Sequence, residues 1–282
     1  MKKLLFLTAI ISLLFVGCNN DNENDDPNDP STETVRLLPS RMVKMLGQER
    51  VTEIHLEYDN FNRLVRIAEV GEGAFEVAYN QDHTPATIKL GGATMATFQY
   101  YGNLVLVRSR IEDYHYWNID TLTINTNGQL IRRRSSTFID WSELTPFRGY
   151  QFECNFFYNA WGNVGRIEHS FVGFSSGSTN FGYSDIKSIF RHVNIPDWFL
   201  FYLNFYILNS ARFSERSIIN NSFYLDGFFN RTGYMISSIN GDYVRFSYEL
   251  DSDGYVIRMN REWRDNNRRN NDNWRIEYIP AK

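Results

Sequence analysis

The most regular feature of the chain is the alternation of apolar and polar side chains over short stretches. In "VRFSYEL", residues 244–250, four apolar side chains alternate with Arg245, Ser247 and Glu249. Successive side chains of a β-strand point to opposite faces, so this pattern predicts strands that bury one face and leave the other in water. The strand and turn signals predict about 15 to 18 such strands between Val35 and Lys282.

A recurring turn sequence separates many of these strands. In "LEYDNFNRLVRI", "LTINTNGQLIRR", "FFYNAWGNVGRI" and "YELDSDGYVIRM", an Asp or Asn follows an aromatic or aliphatic residue, and a turn residue comes three positions later. The Asp or Asn side chain can cap the turn, and the turn residue supplies the positive φ with which the next strand begins. The turn positions in the copies are Asn62, His83, Gly128, Gly162, Gly233 and Gly254.

Mostly short connections between the strands indicate one continuous up-and-down meander rather than separate domains. We therefore expect an all-β fold in which a single antiparallel domain, residues 35–282, forms a curled open sheet or a partly closed barrel. An integral outer-membrane barrel is the main rival architecture. Charged residues on the predicted outward faces argue against it, because a spanning barrel needs an apolar outer band.

One segment departs from the strand pattern. Pro196 suits the first turn of a helix, and Trp198–Leu208 contains a single amide among apolar and aromatic side chains. The pattern predicts a buried helix over about 196–209, because a helix that is apolar all round is a buried one. Such a helix would fill the concave side of the sheet, close over an apolar ligand pocket, or touch lipid. The candidate pocket residues are Trp198, Phe201 and Phe205.

The N-terminus has the layout of a secretory signal. Two lysines precede a 13-residue apolar stretch, Leu4–Val16, which is too short to span a membrane. A glycine and Cys18 follow at once, so residues 1–17 resemble a bacterial lipoprotein signal peptide, after which the cysteine is acylated and becomes the new N-terminus. Phe15 departs from that pattern, which places Leu there. We expect lipid chains on Cys18 to anchor the protein to a membrane.

Residues 18–34 are predicted to form an acidic tether. Six acids, no bases and no large apolar side chains lie between Asn19 and Thr34, a composition that favours disorder. An acidic run directly after the cysteine resembles the export signal of Bacteroidetes-type lipoproteins displayed on the outer face of the outer membrane. The resemblance implies a lipid-anchored protein that faces the cell exterior.

The net charge of −4 arises in residues 1–34, and the predicted domain itself is neutral. Six of the 33 acids lie in the tether and two of the 29 bases are Lys2 and Lys3, which leaves 27 of each. A neutral domain gives no electrostatic support to nucleic-acid binding. The only other cysteine is Cys154, so no intramolecular disulfide is predicted once Cys18 is acylated.

The tandem turns are similar to the YD-type repeats of large bacterial shell proteins. The wider arrangement adds a lipoprotein signal, an acidic tether and "FGYSDIKSIF" leading into an apolar helix. As a whole it resembles the Bacteroidetes lipoproteins of unknown function described as having a porin-like fold. The resemblance covers about Val35 to Lys282 and implies a large antiparallel sheet with no assigned activity and no catalytic residue to transfer.

Motifs that could carry chemistry are better explained by turns. "GFSSG" around Ser175 matches a nucleophile elbow but lacks the following helix. "DSDG" at Asp251 opens like a calcium loop but runs directly into a strand. The five histidines show no metal-ligand spacing, and Glu112 with Asp113 is the one acid pair set among aromatic residues. We expect no catalytic site, no metal and no cofactor.

The unusual bulk property is the aromatic content, with 22 Phe, 17 Tyr and 6 Trp. Aromatic rings pack thin cores and strand surfaces, and exposed rings also stack on sugars. Trp117, Trp141 and Trp161 lie near predicted turns and are the candidate ligand face.

Three functional hypotheses follow, the last of them a hydrolase. The first is a surface-anchored, non-enzymatic binding protein, for a glycan or for another protein of the cell envelope. The second is a carrier of a hydrophobic ligand held between the curled sheet and the apolar helix. Neither the ligand nor the oligomeric state is predicted.

Overall fold

The computed structural model describes residues 35–282 except 47–48, 72, 112–115, 140–151, 172–175, 204–233, 241–243 and 266–267. In this part of the chain it contains sixteen β-strands and one short helix, α1. The first eight strands are β1 (Leu37–Leu46), β2 (Glu49–Tyr58), β3 (Leu64–Glu69), β4 (Gly73–Tyr79), β5 (Pro85–Leu90), β6 (Ala93–Tyr101), β7 (Leu104–Ile111) and β8 (Tyr116–Ile124). The remaining elements are β9 (Leu130–Ile139), β10 (Phe152–Tyr158), β11 (Val164–Phe171), β12 (Gly177–Lys187), α1 (Asp197–Tyr202), β13 (Tyr234–Ile239), β14 (Val244–Leu250), β15 (Val256–Asp265) and β16 (Arg268–Pro280).

The strands form one closed antiparallel barrel. Each strand pairs with its neighbours in sequence, and β1 pairs with β16 to close the ring. The closing ladder runs from Leu37 opposite Pro280 to Met45 opposite Asn273. The all-β meander predicted from the sequence is therefore confirmed. The barrel is completely closed. The sequence analysis had left a curled open sheet and a partly closed barrel as alternatives.

The alternation of side chains decides which face of each strand lines the interior. In β14, Val244 and Phe246 are buried while Arg245, Ser247 and Glu249 are exposed. In β16, Trp274 and Ile276 are buried inside the barrel. Burial of apolar surface contributes about 25 cal/mol per Å², so a register slip of one residue would carry a large free-energy cost.

The hairpin turns at one end of the barrel have the geometry expected from their residues. Asp59, Asn125, Asn159 and Asp251 each accept backbone N–H bonds from residues two and four positions later through one side-chain oxygen. The following turn residues have positive φ values of 58° at Asn62, 66° at His83, 75° at Gly128, 79° at Gly162 and 77° at Gly254. Gly233 lies outside the described residues.

A belt of tyrosines runs around the inside of this same end. Six even-numbered strands carry an inward tyrosine at or near their C-terminal end. The hydroxyl of each tyrosine donates to a backbone carbonyl of the preceding strand. The pairs are Tyr58 to Pro39 at 2.6 Å, Tyr79 to Leu64 at 2.8 Å, Tyr100 to Pro85 at 2.8 Å, Tyr158 to Leu130 at 2.9 Å, Tyr183 to Val164 at 2.9 Å and Tyr278 to Val256 at 2.8 Å.

The belt satisfies carbonyl groups at the start of the odd-numbered strands and so ties neighbouring hairpins together. Burial of these rings raises the pKa of Tyr58, Tyr79, Tyr100, Tyr158, Tyr183 and Tyr278 well above the usual value. The hydroxyls therefore remain protonated donors at neutral pH.

The segment Ser188–Leu203, here called the plug, fills the interior at the belt end. Its backbone is tied to the rim, where Asn194 N donates to Asn62 O at 2.9 Å. Trp198 packs against Tyr100 with ring centroids 6.4 Å apart, and Phe199 meets Phe98 at 5.4 Å. We call this the plugged end of the barrel and the opposite end the far end.

Helix α1 forms the innermost part of the plug. It runs from Asp197 to Tyr202 and begins after Pro196, as the sequence predicts. Trp198, Phe199, Leu200 and Tyr202 are buried, so the predicted burial of this segment is confirmed for those residues. The rest of the predicted helix, residues 204–209, lies outside the described part of the chain. Within the described residues, no helix is long and apolar enough to cross a membrane.

The outer wall of the barrel carries rows of paired charges. Glu53 contacts Arg41 at 2.7 Å and Arg50 at 2.5 Å, and Glu153 contacts Arg132 at 2.7 Å and Arg134 at 2.9 Å. The hydrogen bond from Arg41, aided by His55, lowers the pKa of Glu53 to about 2 against the opposing effect of burial. These cross-strand pairs keep the middle of the outer wall polar.

Replacing a belt tyrosine tests the role of its hydroxyl. We expect Tyr100→Phe to lower the free energy of unfolding by about 1–2 kcal/mol, because Pro85 O loses its donor while the buried ring is kept. Chemical denaturation monitored by tryptophan fluorescence measures the change. The matched control is Tyr101→Phe, since the Tyr101 ring is exposed and its hydroxyl only reaches Gln99. Equal effects of the two substitutions would contradict a structural role for the belt.

Candidate functional site

Polar side chains replace apolar ones on the inner wall at one level of the barrel, on the far-end side of the apolar core. The change occurs within single strands, one inward position beyond a buried apolar residue. Met42 is followed by Lys44, Ile67 by Glu69 and Val107 by Ser109. In strands that run the other way, Asp272 precedes Trp274 and Asp120 precedes Leu122. We call this level the charged layer; its buried members are Lys44, Thr52, Glu69, Ser109, Asp120, Arg133, Ser135, Arg261 and Asp272.

One half of the charged layer centres on Asp272 in β16. Arg261 of β15 lies directly opposite in the register and binds both carboxylate oxygens, with Nε–Oδ1 3.1 Å and Nη2–Oδ2 2.5 Å. Lys44 of β1 approaches from the other side, with Nζ 3.0 Å from Oδ2. The closing seam of the barrel is thus bridged by one carboxylate held between two cations, a strong charge-assisted arrangement.

Two tryptophans flank this half. Lys44 Nζ lies 5.5 Å from the ring centroid of Trp274, which is fully buried. Arg261 Cζ lies 4.4 Å from the ring centroid of Trp263, which is half-buried on the same inward face of β15. Polar groups and flat aromatic faces therefore stand side by side on the wall.

The same half extends over β2 and β3. Thr52 is the register partner of Lys44, and its hydroxyl donates to the carboxylate of Glu69. Thr52 and Glu69 are both buried. Five adjacent strands, β15, β16, β1, β2 and β3, thus each contribute a polar side chain to this side of the barrel.

The other half centres on Asp120 in β8. Arg133 of β9 contacts its two oxygens at 3.0 Å and 3.1 Å, and the Tyr202 hydroxyl of the plug donates to Oδ2. The Arg133 guanidinium also lies 5.1 Å from the ring centroid of Phe152. Because β8 and β9 stand eight strands from β16 and β1 in the ring, the two halves occupy opposite walls.

Among the described buried members of the charged layer, charges of the two signs are equal in number. The three cations, Lys44, Arg133 and Arg261, match the three carboxylates, Glu69, Asp120 and Asp272. Taking such groups out of water costs several kcal/mol per ion, and a buried ion pair often returns less than an apolar replacement would. The balance suits hydrogen bonding to a neutral polar molecule, whereas a phosphate or a metal ion would need an excess of one charge.

The described side chains of the charged layer offer donors and acceptors of hydrogen bonds. Each of the three carboxylates already accepts hydrogen bonds from a cation or a hydroxyl. Over the described ranges, no group of three or more His, Cys, Asp or Glu is placed to hold a metal ion.

The structure does not bring the predicted ligand-face tryptophans together. Trp117 lies in β8 near the far end, paired across strands with Arg110 and Phe138. Trp161 stands in the β10–β11 turn at the plugged end and is 71% exposed. Trp141 lies outside the described residues.

Of the three residues predicted to line an apolar pocket, the structure describes the side chain of Trp198. Trp198 is 6% exposed and packs against Phe98, Tyr100 and Phe199. Phe201 lies in α1, Phe205 falls outside the described part of the chain, and nothing is concluded for either side chain. Cys18, the predicted lipidation site, also falls outside it.

The other motifs behave as turns or lie outside the described residues. Asp251 caps the β14–β15 turn by accepting from Asp253 N at 3.0 Å and Tyr255 N at 2.8 Å. Ser175, Glu112 and Asp113 are outside the described ranges. Cys154 is buried in β10, opposite Arg133 in the register.

Sequence reasoning missed the charged layer, although a signal for it was present. The alternation that marks Trp274 and Ile276 as inward also marks Asp272 as inward, since the three residues are two positions apart. The layer is identified by a polar residue at the next inward position of a strand whose other inward residues are apolar.

The comparisons with known proteins identify a fold. No protein-family model matches the chain, and no curated relative does. Among solved structures it is similar to a porin-like protein from Bacteroides vulgatus, with 14% identity, a TM-score of 0.50, and coverage of 87% of this chain and 100% of that one. It also matches a porin-like protein from Bacteroides uniformis, with 12% identity, a TM-score of 0.40, and coverage of 85% and 95%.

The first of these likenesses, together with the closed sixteen-strand ring, shows that the chain has a porin-like fold. At this identity the likeness concerns the fold alone. The porin-like architecture that the sequence resemblance implied is thereby confirmed.

Removing the central carboxylate tests how strongly the seam depends on it. We expect Asp272→Asn to lower the free energy of unfolding by about 3–5 kcal/mol, because Lys44 and Arg261 keep their buried charges and lose their counter-ion. The control is Glu249→Gln on the outer wall, whose exposed pair with Arg258 is expected to contribute about 1 kcal/mol or less. Denaturant unfolding of both variants measures the difference. Similar small losses in both would mean that the seam does not rely on this carboxylate.

Proposed function

We propose that this chain is a lipid-anchored, non-enzymatic binding protein of the bacterial outer membrane that faces the cell exterior and takes a neutral polar ligand, such as a glycan, at the charged layer. The single observation that carries the ligand proposal is the balanced layer of buried charges and tryptophans inside the barrel. The anchor is argued separately, from the sequence around Cys18.

The composition of the charged layer supports a glycan as the ligand class. Sugar hydroxyls pair well with carboxylates and guanidinium groups, and the CH faces of a sugar ring stack on flat aromatic rings. Asp272 and Arg261 supply the first kind of group and Trp263 the second, on adjacent strands. A bound sugar would exchange hydrogen bonds with water for hydrogen bonds with side chains that are already oriented by one another.

The outer wall supports anchorage by lipid rather than by the barrel itself. A barrel that spans a membrane carries an apolar band about 25 Å tall on its outer face. On the described strands the middle of the outer wall instead carries pairs such as Arg132 with Glu153 and Arg41 with Glu53. Residues 1–18 supply the alternative attachment, because they resemble a lipoprotein signal ending at the cysteine that would be acylated.

The second hypothesis, a carrier of a hydrophobic ligand, requires a space between the sheet and the helix. Trp198, Phe199 and Leu200 of the plug are buried, which argues for a filled interior at this level. These side chains belong to the same buried cluster as the inner wall.

Mass spectrometry of the membrane-extracted protein tests the anchor. We expect the mature chain to begin at Cys18 with acyl groups attached, and Cys18→Ser to release the protein from the membrane fraction, since stable anchoring takes more than one chain. Protease treatment of intact cells tests the outward orientation. An unmodified N-terminus on membrane-extracted protein would contradict the anchor.

A screen of the full-length protein on an array of neutral oligosaccharides, followed by calorimetry with any sugar retained, tests the ligand class. We expect Trp263→Ala to weaken binding about tenfold or more, equivalent to about 1.4 kcal/mol. Trp161→Ala is the matched control, because Trp161 is exposed at the opposite end. Binding that survives Trp263→Ala and is lost in Trp161→Ala would move the site away from the charged layer. Absence of any retained neutral sugar would contradict the ligand class.

A further inference from the structure

Within the described residues, most of the exposed large apolar side chains lie at the plugged end of the barrel. Of the eleven large apolar residues that are exposed in the described part of the chain, ten lie in or next to the turns of the plugged end. The eleventh, Val70, lies at the far end beside the β3–β4 turn. We call the set at the plugged end the apolar collar; Val35, Phe61, Tyr101, Phe157, Trp161 and Ile257 represent it.

The collar is exposed and rich in rings. Trp161 is 71%, Tyr101 60% and Phe61 56% exposed. These rings project from different hairpins around the rim, so together they form an apolar ring and not a single patch. Clusters of exposed apolar residues rimmed by polar ones mark interaction surfaces, and tryptophan and tyrosine favour the membrane–water boundary in particular.

Polar turn residues are interleaved with the collar. Asp59 and Asn159 cap the turns that carry Phe61 and Trp161. The Arg63 guanidinium lies 5.0 Å from the Phe61 ring centroid, and the Arg166 guanidinium lies 4.5 Å from that of Phe157. Both guanidinium groups also pair with a carboxylate, Arg63 with Asp59 at 2.6 Å and Arg166 with Glu168 at 3.1 Å. Exposed rings set beside such polar groups match the boundary between acyl chains and headgroups.

The chain enters the barrel at this same end. Leu37 N donates to the Tyr255 hydroxyl in the rim of the plugged end, and Val35 O accepts from it. Val35 is itself a collar residue and follows Cys18 by 17 positions in the sequence. Because the chain that begins at Cys18 continues directly into Val35, a lipid anchor on Cys18 would be joined to the barrel at the collar.

We propose that the apolar collar is a membrane-contact surface that seats the plugged end of the barrel on the lipid bilayer. The inference rests on the lipid anchor of the proposed function. The inference goes beyond the proposed function because it gives the barrel a fixed orientation. The far end and the charged layer are directed away from the membrane. The charged outer wall stays in water above the collar.

Fluorescent labels at matched positions test this orientation. Trp161→Cys and Phe61→Cys place a thiol in the collar, and Val70→Cys places one at an equally exposed apolar site of the far end. Cys154 is 2% exposed and serves as the blank in unsubstituted protein. Each full-length lipoprotein is labelled with an environment-sensitive dye and reconstituted into vesicles of phosphatidylethanolamine and phosphatidylglycerol.

We expect the two collar labels to shift to shorter emission wavelengths, to be quenched by spin-labelled phospholipid, and to be several-fold less quenched by aqueous iodide than the Val70→Cys label. Equal iodide quenching at all three sites on vesicle-bound protein would overturn the inference. Collar labels already shielded in the absence of vesicles would overturn it in favour of contact between copies of the chain. Failure of the protein to float with the vesicles at all would refute the anchor instead, so the two failures are distinguishable.

Discussion

The constraint on which the rest of the structure depends is the width of a sixteen-strand barrel. A ring of about eight strands can be filled by its own wall side chains, whereas sixteen strands leave a space that must be packed by other residues or left to water. At the plugged end, other residues of the chain pack this space, because Ser188–Leu203 enters the interior and contacts Phe98 and Tyr100. At the next level, the described inner wall carries buried charged and hydroxyl groups.

A hydrogen bond from the plug connects these two levels. Tyr202 is buried at the inner end of α1, and its hydroxyl donates to Asp120, which also binds Arg133. The position of the plug and the geometry of one half of the charged layer are therefore coupled. On the opposite wall, Asp272 links β1, β15 and β16 across the closing seam. Closure of the barrel and construction of the candidate site thus use the same side chains.

On the described residues, the plugged end carries exposed apolar side chains and the middle of the outer wall carries paired charges. The belt of tyrosine hydroxyls and the plug seal one end from inside, while the collar makes that end apolar outside. The paired charges of the outer wall suit water. A protein tethered at the apolar end would present its polar interior outward, which is the geometry that a surface-displayed binding protein needs.

The sequence by itself determined the strands, their inward faces and the turns, because alternation and the Asp/Asn-to-glycine spacing are local properties. It also marked Tyr58, Tyr79 and Tyr100 at equal spacing, but not the carbonyls to which they donate. Only the tertiary structure decided that the sheet closes, that Trp117 and Trp161 stand at opposite ends, and that Lys44 meets Asp272. Such pairs join strands far apart in the chain, and their partners follow from the ring order and register of the whole barrel, which no local pattern encodes.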